Sequence, residues 1–184
     1  MGVFEYLAVL ISIVVGLGLT HLLVSITRVI HARHSARVYW VQLVWALNLA
    51  LWLIAFWWFT FALNTVTEWT YGLYVFLIVY AVLLYLLAAL LFPHDPPDDQ
   101  DYESHFFTNR RWFYGTLTIF AFIDIVDFFL KVGTGAESVT LRPYLLFIGP
   151  IITLSVAAIF VERRSFHAFF SLLFLVWVVG MTLQ

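Results

Sequence analysis

Long apolar stretches separated by short polar connectors make up almost the whole chain. A helix rises 1.5 Å per residue, so roughly 20 apolar residues cover the ~30 Å of a bilayer's hydrocarbon. Six stretches meet or approach that length: 4–27, 38–63, 70–92, 112–130, 143–161 and 166–183. The first three are uninterrupted. The sixth is short, and Gly149-Pro150 falls inside the fifth, where proline removes an amide and predicts a kink. The pattern predicts an all-α, polytopic integral membrane protein: one domain, 1–184, a bundle of six transmembrane helices with short loops.

The connectors give the bundle a direction. Those after the first, third and fifth stretches hold Arg28, Arg33, Arg37, Arg110, Arg111, Arg163 and Arg164, whereas the other two hold only Lys131 and Arg142. Seven basic residues against two puts the arginine-rich connectors inside and both termini outside. The inner ends of the second, fourth and sixth stretches also pair basic with aromatic residues, as in Arg37-Val-Tyr39-Trp40, Arg110-Arg111-Trp112 and Arg163-Arg164-Ser-Phe166, which suits anchoring at the headgroup boundary. The N-terminal 23 residues lack a basic start and a small-residue cleavage site, and their apolar run exceeds a signal peptide's, so a retained first helix is expected. Three spans precede the acidic connector and three follow it. That arrangement permits an inverted repeat, although no sequence repeat is visible.

Composition agrees with a lipid-embedded chain and narrows its chemistry. Of 184 residues, 64% are hydrophobic and 11% charged, too few charges to coat a water-exposed surface. Soluble enzymes and disordered tails are excluded, and a net charge of −2 with no basic stripe gives no sign of a nucleic-acid partner. Cysteine is absent, which removes thiol catalysis, disulfides and thiolate metal sites. There is no HExxH, G-x-S-x-G or Walker loop, and Gly16-x-Gly18 is followed by His21 rather than a third glycine. Nothing here favours an enzyme, and no cofactor is expected. The bilayer is the first partner. Because so small a bundle encloses little space alone, a homo-oligomer or a subunit of a larger membrane complex is expected. The anticipated location is multi-pass, in a bacterial cytoplasmic membrane.

Polar side chains inside the apolar stretches are costly unless paired or hydrated, so each is a candidate for function. Asp124 and Asp127 lie three apart on one helical face, and Lys131 follows Asp127 by four. The plainer reading is a rim ion pair for Asp127 with Lys131, extended by Arg142. Asp124 lies ~10 Å deeper than Lys131, beyond snorkelling reach. His21, Ser25 and Arg28 form a polar stripe on the first span, and Asn48 lies between Trp45 and Trp52 on the second. Measured from the inner boundary, His21, Asn48, Asp124 and Asp127 fall at ~10, ~16, ~20 and ~25 Å. Such staggering is what a proton or small-cation relay requires. The alternative is that each side chain pairs locally and specifies helix packing.

Two further patterns stand out. Ala8, Ser12, Gly16 and Thr20 recur every four residues and predict a close helix–helix seam. His31, His34, His94 and His105 gather on the inner side and are weak metal-ligand candidates beside ordinary interfacial histidines. No metal is expected there. The DPPDDQDYE segment (95–103) reads as a solvated, proline-extended linker or a docking strip for a basic partner.

Overall fold

The structure, a computed structural model, describes residues 2–66, 68–133 and 141–182. Six α-helices form among them: α1 (Val3–His31), α2 (Trp40–Thr60), α3 (Tyr71–Leu91), α4 (Tyr102–Gly133), α5 (Leu141–Phe160) and α6 (Arg164–Thr182). A 3-10 turn, Phe61–Thr65, prolongs α2. No strand occurs among the described residues, where the only extended contact is a bridge between Arg37 and Asp101.

Four segments are long and apolar enough to cross a membrane: Val3–His31, Trp40–Asn64, Tyr71–Leu91 and Tyr102–Gly133. The fifth and sixth helices carry shorter apolar lengths, Tyr144–Phe160 and Arg164–Gly180. α5 runs on through Pro150 as one helix. α4 begins ten residues before the apolar stretch does, because Asp101 starts it. The Asp101 Oδ1 accepts from the Ser104 amide at 2.9 Å, satisfying a free N–H of the first turn, and Glu103 adds negative charge at the same helix start.

α1 packs on α2 and α3, α3 also on α4, α4 on α5, and α6 chiefly on α2. The first three helices therefore close on one another, while α6 leaves its own half of the chain to lie against α2. The two halves are not arranged alike, as a 3+3 repeat would require. An aromatic column runs along the centre. Trp45 is fully buried, with ring centroids 5.2 Å from Phe113, 5.2 Å from Phe170 and 5.1 Å from Phe174. Trp52 continues the column to Phe120, and Phe120 to Tyr80.

The seam on α1 differs from the expected one. Its buried face is Leu7, Ile11, Val15, Gly18, Leu22, Ser25 and Val29. Ser12, Gly16 and Thr20 are exposed and Ala8 is half-buried, so within the chain this stripe is not a packing surface. A Cβ on Gly16 would meet nothing within 4 Å, whereas one on Gly18 would meet Leu53 Cδ1 at 3.1 Å. The close approach belongs to Gly18, just over half a turn away, where the Leu53 side chain lies against it. With Leu7, Ile11 and Leu22 buried, the small residues face outward together with Val9, Ile13 and Leu17.

Candidate functional site

Three helices meet at Asp124. From α3 the Tyr80 hydroxyl donates to Oδ1, and from α5 the Tyr144 hydroxyl donates to Oδ2 at 2.8 Å. The Tyr144 ring lies flat on Phe128, with centroids 3.9 Å apart and planes 7° off parallel, so its hydroxyl is aimed by a stack on α4 itself. Asp127, 5% exposed, sits less than a turn beyond and holds Lys131 at 2.6 Å across one turn. Chemically this is a carboxylate with both oxygens occupied by phenols, beside a buried ion pair. Such a group can bind a proton or cation, and it can equally fasten α3, α4 and α5 together. Arg142, on the first turn of α5, is exposed.

The other candidates lie elsewhere. Asn48 is fully buried and donates to the Ser171 carbonyl of α6 at 2.9 Å, while its Oδ1 has no hydrogen-bond partner. His21 is half-buried, and its Nε2 is likewise without a hydrogen-bond partner. No hydrogen bond joins His21, Asn48 and Asp124 to one another among the described residues; Asn48 and Asp124 close on different helices. His31, His34 and His94 are exposed, and His105 contacts Asn109 one turn along its own helix. Among the described residues no three His, Asp or Glu side chains come together as a metal-binding group.

His167 reaches inward from the start of α6 and is fully buried. Its Nε2 lies 2.9 Å from the Val161 carbonyl, which can only accept, so Nε2 carries the proton and Nδ1 accepts from the Tyr114 hydroxyl at 3.0 Å. Both nitrogens are thereby used. Sequence reasoning passed over Tyr80, Tyr144 and Tyr114, since a tyrosine in an apolar run reads as one more aromatic. The available signal was depth: a phenol far from the headgroups needs a partner.

The arginine-rich end is tied by charge. Glu103 lies 2.5 Å from Arg164 and 3.3 Å from Arg37, and Arg110 pairs with Glu162. The linker is held here as well. Arg28 donates to the His94 carbonyl at 2.7 Å, Ser35 to the Asp98 carbonyl at 2.7 Å, and the Arg37 amide to Gln100 at 3.0 Å. Buried Gln42 of α2 donates to the Leu91 carbonyl of α3. The acidic linker is thus a strap bound to the first connector rather than a free strand. No family model, curated protein or solved structure matches the chain.

Proposed function

We propose that the chain is a six-span membrane protein with both termini outside, acting as a non-catalytic scaffold or accessory subunit of a membrane assembly. The seven-to-two distribution of basic residues supports the orientation. The observation that carries the scaffold reading is local pairing: Asn48 closes on α6, Asp124 on α3 and α5, Asp127 on its own helix, and His167 on Tyr114 and Val161. In lipid, such bonds replace the hydrophobic drive that is missing between apolar helices, and so fix which helix packs on which. A conduit needs its polar groups joined, and these close on separate neighbours.

One observation favours a second reading, proton or small-cation transport: Asp124 is a carboxylate with two phenol donors deep in the bundle. Asp124→Asn separates the two. The amide retains one acceptor for a tyrosine, and the rearrangement should cost about 1 kcal/mol. As a scaffold, wild type should pass no protons or cations in proteoliposomes under a pH gradient in either direction, and the variant should still fold and retain any co-purifying chain. Flux in wild type that Asp124→Asn abolishes in a folded protein would replace the scaffold by the transporter. Orientation is checked in intact cells with an impermeant thiol reagent, cleanly because the chain has no cysteine. Glu68→Cys should label and Ser35→Cys should not; the reverse pattern inverts the topology.

A further inference from the structure

We propose that the arginine-rich end holds a lipid-headgroup site, selective for phosphoethanolamine, in the cleft between α4 and the turn joining α5 to α6; it rests on the membrane reading above. The cleft has a volume of about 410 Å³ and is lined by Glu103, Ser104, Thr108 and Arg110 from one side and Glu162 and Arg164 from the other. Arg110 is its built part, only 9% exposed. Its Nη1 donates to the Phe107 carbonyl at 2.8 Å, its Nη2 pairs with Glu162, and its buried Nε has no hydrogen-bond partner.

Position points to a lipid. Ser104, Thr108 and Trp112 follow one another at four-residue intervals, so the hydroxyls of the cleft and the indole share a face of α4. Trp112 is 72% exposed, and Phe160, two residues before Glu162, is 74% exposed. The hydroxyl face of α4 therefore leads to an open indole, as at the boundary between headgroups and acyl chains. A phosphate held by the Arg164 guanidinium and the Ser104 and Thr108 hydroxyls would leave its chains running along the face that carries Trp112.

Charge selects the headgroup. Two carboxylates line the cleft beside the two guanidiniums, so an anion alone would be opposed at close range. Glu103 is already engaged by Arg164 and Arg37. The Glu162 side chain is 73% exposed and directs only Oε1 to Arg110, which leaves Oε2 for a donor. A primary ammonium supplies charge and N–H donors together. Phosphoglycerol lacks the charge, and phosphocholine lacks the N–H.

The test uses full-length, delipidated protein in detergent, offered equal amounts of phosphatidylethanolamine, phosphatidylglycerol and phosphatidylcholine with matched chains. Retained lipid is counted by native mass spectrometry. Phosphatidylethanolamine should be retained about tenfold over the other two, as expected for one charge-assisted hydrogen bond. Glu162→Gln should erase most of that preference and lower the melting temperature, because buried Arg110 loses its counter-charge, while the protein still folds. Thr108→Val, which leaves every ion pair in place, should weaken retention of all three lipids while the preference persists. Equal retention of the three lipids by wild type, or an undiminished preference in folded Glu162→Gln, would overturn the proposal. So would free phosphoethanolamine displacing the lipid at equal concentration, since the ligand would then be a soluble phosphate compound.

Discussion

Replacing Lys131 by alanine should cost about 3–5 kcal/mol, the range for stranding one partner of a buried ion pair. Asp127 is 5% exposed, and the Lys131 side chain only 12%, so neither charge is screened by open water. The lysine lies 2.6 Å from the carboxylate and is held by the same helix, one turn on. Its loss leaves a charge in a poorly polarisable place, next to Asp124 and its two phenols. The double substitution Asp127→Asn, Lys131→Met should recover most of the loss, because an uncharged pair needs no counter-charge. Denaturation in mixed micelles measures both. A loss under about 1 kcal/mol for Lys131→Ala would show that Asp127 reaches water or another cation, and the site would be open rather than closed.

Trp45→Ala should cost about 3 kcal/mol, toward the lower end of the range for a buried tryptophan. The residue is fully buried and stands where α2, α4 and α6 converge, edge-on to Phe113 and Phe170 and tilted against Phe174. In lipid the loss is mainly of contact with those rings, since the truncated side chain need not be compared with water. α6 should be the first helix to loosen, because it packs chiefly on α2. Proteolysis or hydrogen exchange at α6 reads this directly. Equal protection of α6 in wild type and variant would mean that its hold on the bundle comes from the Asn48–Ser171 bond instead.

The sequence by itself determined the all-helical class and the places where the chain turns, because both follow from local rules. Apolar length sets where helices of membrane-crossing size run, and α1, α2 and α3 begin and end close to the apolar stretches. The i, i+4 spacing of Asp127 and Lys131 brings them within reach on any helix. The cap that starts α4 at Asp101 was also local, yet it lies in a polar segment where hydropathy has nothing to count. Rotation and neighbour choice were decided only by tertiary structure. A stripe of small residues on α1 permits close packing but does not compel it, and the fit against Leu53 of α2 falls at Gly18 instead of Gly16. Depth along a helix follows from counting residues, but azimuth in an all-apolar helix leaves no periodic trace. Thus the levels of His21, Asn48 and Asp124 could be read from the chain, while the partner of Asn48 and the tyrosines that close on Asp124 depend on which helices came to lie side by side.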